Sequence, residues 1–182
     1  MASADERSSP PAGGGSDEFV EGATFVSRGR TVTEADVVLF AGLTGDFNPQ
    51  HTDAAWAAGT PFGERVAHGL LVVSYAVGLM PVDPRRVVAL RRLDKVVFKR
   101  PVRLGETIRT VARIARLRPA DAEHDTLKWD LKVVRDDDQT ALTATIDVLW
   151  RRSPAGDSPA ATAVPARTPA ATPGTGSGGE AG

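Results

Sequence analysis

The residues best suited to acid–base chemistry lie on one short segment, residues 44–51. Asp46 supplies a carboxylate and His51 an imidazole within the sequence Gly-Asp-Phe-Asn-Pro-Gln-His. Histidine titrates near neutral pH and can take a proton from water, and a carboxyl group in a partly apolar pocket can supply or relay one. A folded turn would let both side chains hold the same water molecule. The pair therefore predicts the addition or removal of water.

The same residue types also fit a purely structural interpretation. The pattern Asp-x-Asn-Pro is typical of an Asx turn, in which short polar side chains bond to the local backbone. Pro49 disfavours the helical region for Asn48, so residues 44–51 are predicted to form an irregular loop. Residue chemistry alone leaves the catalytic and the turn interpretations open.

His68 and Gly69 stand where the longest apolar segment of the chain begins. A glycine at a helix start leaves its backbone N–H uncovered, and free N–H groups at the positive end of a helix can stabilise an oxyanion. Alternatively, Gly69 simply permits close packing of the helix, and His68 is a satisfied, partly buried histidine. Both interpretations stay open on the residues alone.

Other candidate sites are weaker. The three histidines are not at a usual metal-ligand spacing, so no metal site is predicted. Ser74 lacks the Gly-x-Ser-x-Gly setting of a nucleophile and is expected to be buried within a helix as a packing residue. Lys99 and Arg100 are typical of solvated strand ends, although a phosphate-bearing ligand could use them.

The composition narrows the classes of protein. The chain of 182 residues has no cysteine and a net charge of -1. The lack of cysteine excludes disulfides and thiolate sites and favours a reducing compartment, with the cytoplasm as the expected location. The near-neutral charge disfavours nucleic-acid binding. No secretory signal is visible, and the apolar run at 70–80 is too short to cross a bilayer, so no membrane partner is expected.

One compact domain is expected between two tails of unusual composition. Residues 1–17 are mainly Ser, Pro, Gly, Ala and charged residues, and residues 153–182 are rich in Ala, Pro, Thr, Gly and Ser without any aromatic residue. Both tails are predicted to be disordered. The remaining segment, 18–152, is long enough to bury a sizeable core.

Helix signals dominate the first half of this segment. Thr33 and the acidic residue three positions later form an Asp variant of the capping box, which predicts a helix near 34–43. A short Ala-rich helix capped by Thr52 or Asp53 should follow. Residues 67–80 are apolar around nearly the whole helical circumference, which is typical of a helix in the middle of a fold.

Strand signals dominate the second half. Alternation and turn residues predict an early strand and then four long ones, at 23–27, 87–98, 106–117, 126–134 and 140–151. The connections are short, as successive antiparallel strands require. One long apolar helix before a four-strand meander predicts an α+β fold, with an antiparallel sheet curled around that helix.

Five segments of the chain together resemble a known family. Residues 44–53 (Thr-Gly-Asp-Phe-Asn-Pro-Gln-His-Thr-Asp), 57–58, 62–65 and 66–70 (Val-Ala-His-Gly-Leu) are similar to the signature of MaoC-like dehydratases, which include the (R)-specific enoyl-CoA hydratases. Residues 97–107 (Val-Phe-Lys-Arg-Pro-Val-Arg-Leu-Gly-Glu-Thr) resemble that family's strand-to-strand segment. The resemblance covers essentially the whole expected core and favours the catalytic interpretation over the Asx turn.

The resemblance implies a fold, a set of partners and roles for individual residues. The fold is a hot-dog fold, in a homodimer or paired with a second hot-dog subunit, and the substrate is an acyl-CoA or a carrier-protein thioester without a cofactor. Asp46 and His51 would hold the catalytic water, and the Gly69 amide would polarise the thioester carbonyl. The residues implied to support or bind the substrate are Asn48, Phe62, His68, Lys99 and Arg100.

The implied reaction is reversible hydration of a trans-2-enoyl thioester to an (R)-3-hydroxyacyl thioester. Two alternatives stay open: a non-catalytic or partner-dependent subunit that binds acyl thioesters, and a thioesterase, against which the intact Asp-x-Asn-Pro-x-His loop argues. Gln50, Ala54 and Val77 depart from the commonest family pattern. The length and shape of the acyl chain are therefore not predicted.

Overall fold

Residues 19–153 are described by a computed structural model of the chain. The predicted tail at 1–17 lies outside these residues, as does all of the predicted tail at 153–182 except its first residue. The helices are α1 (Glu34–Thr44), α2 (Pro49–Thr52), α3 (Ala54–Ala58) and α4 (Gly69–Gly78). The strands are β1 (Thr24–Val26), β2 (Arg30–Thr31), β3 (Val87–Phe98), β4 (Thr107–Pro119), β5 (His124–Arg135) and β6 (Thr140–Arg151).

The strands form one antiparallel sheet in the order β1-β4-β5-β6-β3, with β2 paired to β4 beside β1. The predicted α+β class and the four long strands are confirmed. Because β4, β5 and β6 follow one another in sequence and in space, tight turns suffice to join them. Among the described residues, no helix has the length and apolarity to span a membrane.

The prediction that β3 and β4 are neighbours is wrong. β3 pairs with β6, at the far edge of the sheet from β1. The connecting residues 99–106 therefore cross the width of three strand spacings, about 14 Å, which an extended segment of this length can span. On the way, the Val102 carbonyl accepts a hydrogen bond from the Ala67 amide at 2.8 Å. The connection is thus attached to the residues that precede α4.

One face of the sheet packs on α4 and forms the core. The alternating apolar residues of β5 are all buried: Leu127, Trp129, Leu131 and Val133. The matching residues of β6 are buried as well: Leu142, Ala144, Ile146, Val148 and Trp150. From α4, the core receives Leu71, Val72, Val73 and Ala76. The side-chain period of two in the strands thus specifies which face meets the helix.

Only one side of α4 is covered, although the sequence predicts burial around the helix. Leu70 is 62% exposed, and Ser74 is exposed one turn further along the same stripe. The expectation that Ser74 is buried is wrong, because the sheet of this chain lies against the opposite side of the helix. Its hydroxyl donates to the Leu70 carbonyl at 2.9 Å, as serines within helices commonly do.

The short helices confirm most of the predicted signals. Thr33 and Asp36 make the reciprocal capping-box bonds that begin α1. Asp53 caps α3 by accepting from the Trp56 amide at 2.9 Å. The predicted irregular loop at 44–51 is wrong in part, because its last residues form α2. Pro49 begins this helix rather than preventing it, since the first helical position needs no N–H donor.

Candidate active site

The helix α2 positions His51. Asn48 caps the helix by accepting from the Gln50 amide at 3.1 Å, and the turn that follows directs the imidazole inward, where it is 5% exposed. The ring Nδ1 lies 2.7 Å from the Val66 carbonyl oxygen. Because a carbonyl only accepts, Nδ1 carries the proton. In the neutral ring, Nε2 therefore holds a lone pair.

Asp46 lies in the turn between α1 and α2. Its carboxylate Oδ1 accepts from the Asn48 amide at 3.3 Å, which is the contact of an Asx turn. The same side chain lines the cavity beside His51. The turn interpretation and the catalytic interpretation of Asp46 are therefore compatible, since one contact fixes the loop and the remaining oxygen lone pairs are left for another partner.

His68 joins the loop to the start of α4. Its Nε2 donates to the Asp46 carbonyl at 2.9 Å, and its ring stacks on His51 with 3.8 Å between ring centroids. His68 is 2% exposed, and its Nδ1 has no hydrogen-bond partner among residues 19–153. Of the two open interpretations of His68, that of a satisfied histidine therefore holds for Nε2 but not for Nδ1, and the ring is fully rather than partly buried.

Burial is the main influence on the pKa of His51 and lowers it from the ordinary value for histidine. The neighbouring His68 ring lowers the pKa further, whereas the bond to Val66 and the carboxylate of Asp46 raise it. The net effect favours the neutral ring. His51 thus has the protonation state that a proton acceptor requires.

This lowered pKa makes the stability of the fold depend on pH. Below about pH 6.5, the ordinary histidine pKa, the unfolded chain binds a proton that folded His51 does not. We expect the free energy of unfolding to fall as the pH drops from that value toward the lower pKa of the folded state. Urea unfolding at pH 7.5 and pH 5.5 measures the loss, which should be smaller in His51→Asn than in the wild type.

Gly69 is the first residue of α4, and His68, in the N-cap position, makes no side-chain bond to the helix start. An ideal Cβ built on Gly69 would lie 2.6 Å from a ring carbon of Phe98. Any larger residue would therefore displace this ring. The packing interpretation of Gly69 is supported directly, and Gly69 also lines the cavity.

These groups line one cavity of about 560 Å³. This volume is in the usual range for small-molecule sites. The predicted site residues among its lining are Asp46, His51, Phe62, His68, Gly69, Lys99 and Arg100. Asn48 is the exception, because its side chain turns back to cap α2. It thus acts on the loop that carries Asp46 and His51.

Several lining residues were missed by sequence reasoning. Ala141 and Leu142 reach the cavity because β3 pairs with β6, a long-range pairing that no local pattern reveals. The Ala141 carbonyl accepts from both the Lys99 and Arg100 amides, at 2.8 and 3.1 Å. Gln50 also lines the cavity, and its only signal was its departure from the family pattern.

The fold brings together a possible set of metal ligands that the spacing of the histidines did not suggest. Ligand atoms of Asp46, His51 and His68 lie within 4.8 Å of one another. However, one nitrogen of each ring is bonded to a backbone carbonyl, and the Gln50 amide nitrogen lies 3.1 Å from His51 Nε2. An N–H directed at this position disfavours a cation, so the lack of a metal stays our prediction.

Comparison with known proteins identifies the family. The family described as "MaoC like domain" matches residues 19–133. The chain belongs to this MaoC-like family. An (R)-specific enoyl-CoA hydratase of Rhodospirillum rubrum is 32% identical over 102 residues, which are 56% of this chain and 71% of that protein. Protein MaoC of Klebsiella aerogenes is 41% identical over 93 residues, which are 50% of this chain and 28% of that protein.

Solved structures place the MaoC-like chain in the predicted fold. A monoamine oxidase regulatory protein from Archaeoglobus fulgius superposes with a TM-score of 0.70 at 34% identity, covering 76% of this chain and 94% of that one. A Mycobacterium tuberculosis protein described as a double hot-dog fold superposes with a TM-score of 0.67 at 23% identity, covering 88% and 53% of the two chains. The hot-dog fold is confirmed. The chain spans much less than the full length of Protein MaoC.

Proposed function

We propose that this MaoC-like protein catalyses the reversible hydration of trans-2-enoyl thioesters to (R)-3-hydroxyacyl thioesters. The observation that carries the proposal is the meeting of three groups at one cavity: the Asp46 carboxylate, the His51 ring and the start of α4. The names of relatives support the same reaction class, since one is an (R)-specific enoyl-CoA hydratase and another a 3-hydroxybutyryl-CoA dehydratase.

The first step is polarisation of the thioester. The Gly69 N–H, at the positive end of α4, donates to the thioester carbonyl oxygen and stabilises the negative charge that develops there. Electron withdrawal through the conjugated double bond makes C3 electrophilic. The apolar residues of the cavity wall hold the acyl chain beside the helix: Phe40, Phe62, Val72, Phe98 and Leu142.

The second step is addition of water. A water molecule held between Asp46 and His51 forms a bond from its oxygen to C3, and the pair removes one of its protons. The pair then delivers a proton to C2, so that the protein returns to its starting protonation state. Dehydration is the same sequence in reverse.

Lys99 and Arg100 can be used to test whether the thioester substrate is bound through the phosphates of coenzyme A. Both residues are exposed and line the cavity, where their cations can bind the phosphates of coenzyme A. We expect the double charge reversal Lys99→Glu/Arg100→Glu to raise KM for crotonyl-CoA about tenfold, with little change for crotonyl-pantetheine, which lacks the nucleotide phosphates. Arg91→Glu, on the exposed part of β3, is the matched control.

A second candidate is a subunit that needs a partner. β3 pairs with one strand only among the described residues, and several of its apolar side chains are exposed: Val88, Leu90, Leu93, Val97 and Phe98. An exposed edge of this kind is suited to pairing with another hot-dog subunit, in a homodimer or a heterodimer. Thioester binding by the purified protein without turnover, followed by activity on addition of a partner, would favour this candidate.

The deciding experiment is a hydration assay of the purified full chain on enoyl thioesters of increasing length. We expect loss of the conjugated enoyl absorbance and an (R)-3-hydroxyacyl product by chiral analysis. A parallel assay for free thiol separates hydration from thioester cleavage. Release of thiol without a 3-hydroxyacyl product would contradict the proposal and favour a thioesterase.

A further inference from the structure

Gln50 contacts the nitrogen of His51 that faces the cavity. The amide Nε2 of Gln50 lies 3.1 Å from His51 Nε2. Because His51 Nδ1 already donates to the Val66 carbonyl, the neutral ring offers a lone pair at Nε2, and the amide must present an N–H to it. The lone pair that would accept a proton from water is therefore already occupied by a side chain.

The backbone of Gln50 is fixed independently of this contact. Its N–H donates to the Asn48 side chain at 3.1 Å, and its carbonyl accepts from the Val66 amide at 3.2 Å. Its side chain, in contrast, is half-buried at the cavity wall. A substitution of the side chain thus leaves α2 and the placement of His51 supported by the same backbone bonds.

We propose that Gln50 is a positioning residue that caps His51 Nε2 in the free protein and must give up this contact before water can use the same lone pair. The proposal rests on the proposed hydration by Asp46 and His51. One nitrogen lone pair accepts one good hydrogen bond, so the amide and the water compete. An aliphatic side chain at this position would make no such contact.

The remaining charged or titratable groups around His51 are the same in every variant of residue 50. They are Asp46 in the preceding turn, His68 before α4, and Lys99 and Arg100 in the connection after β3. Differences between residue-50 variants therefore report on the side chain at position 50 alone. An N–H donor stabilises the neutral ring and lowers the pKa of His51, whereas a carboxylate stabilises the imidazolium and raises the pKa.

The experiment compares the wild type with Gln50→Met, which keeps the length but not the hydrogen bond, and with Gln50→Glu. Gln139→Met, at the other glutamine of the chain, is the matched control. An NMR titration, assigned with His51→Asn, should rank the pKa of His51 as lowest in wild type, higher in Gln50→Met and highest in Gln50→Glu. This measurement does not depend on activity, so it tests the cap even if the hydration proposal fails.

The kinetic measurement is the pH profile of kcat/KM for crotonyl-thioester hydration. In Gln50→Met, the acidic limb should move to higher pH, and the plateau above it should rise about two- to tenfold, the range that one net hydrogen bond allows. A Gln50→Met protein that titrates like wild type, or whose plateau falls, overturns the proposal. Gln139→Met should match wild type in both measurements.

Discussion

Replacement of Asp46 by Asn or of His51 by Ala should lower kcat/KM for hydration of crotonyl thioester by about 10²- to 10⁴-fold, the usual contribution of a general acid or base. Asp46→Asn keeps an oxygen that can accept from the Asn48 amide, so the turn should survive. The measurement is the steady-state rate of each purified variant, with circular dichroism and thermal unfolding to confirm the fold.

His51→Ala has a structural cost that must be separated from the chemical one. It leaves a cavity at a site only 5% exposed and removes the donor to the Val66 carbonyl. His51→Asn is the matched variant, because the Asn side-chain nitrogen can replace Nδ1 while nothing replaces Nε2. Near-full activity in Asp46→Asn and His51→Asn would refute the proposed mechanism.

The double variant Asp46→Asn/His51→Asn supplies a further check on whether the two groups act on one water. Groups that work as a unit are strongly non-additive, so the double variant should lose about as much activity as the more damaged single variant. Losses that multiply would indicate that Asp46 and His51 act in separate steps. This comparison needs no assignment of acid and base.

The strands and helices could be predicted because their signals are local. Alternation gave the four long strands to within a few residues, and the capping box at Thr33 gave the start of α1. The pairing of β3 with β6 could not be predicted, because it depends on a connection that crosses the sheet. The short helix α2 was not predicted, because a proline can either interrupt a helix or occupy its first position, and Pro49 does the latter.

The candidate site was predictable in its residue types but not in its contacts. Asp46 and His51 stand out by chemistry and resemblance, and both line the cavity. The stacking of His51 on His68 joins residues that are far apart in sequence. The hydrogen bond from the His51 ring to the Val66 carbonyl holds these two segments together. The contact of Gln50 with His51 also required coordinates, because adjacent residues of a helix do not ordinarily face each other.

Gly69→Ala keeps the backbone N–H but adds a methyl group that obstructs it, and should lower kcat/KM by up to about 10²- to 10³-fold, the usual cost of losing one oxyanion donor. The added methyl group would lie 2.6 Å from a ring carbon of Phe98 and beside the N–H that is proposed to meet the thioester carbonyl. The Phe98 side chain is an exposed one, 54% accessible, so its ring can move outward and the stability of the fold should change little. Kinetics and thermal unfolding of the variant measure the two effects separately.

Phe98→Ala then decides between the two roles of Gly69. In Gly69→Ala/Phe98→Ala the clash is gone, while the methyl group beside the helix N–H remains. If Gly69 serves only to pack against the ring, the double variant should recover the activity of Phe98→Ala alone. If the Gly69 N–H binds the developing oxyanion, the double variant should stay as slow as Gly69→Ala, because a methyl group that fits the fold still obstructs the approach of the carbonyl oxygen.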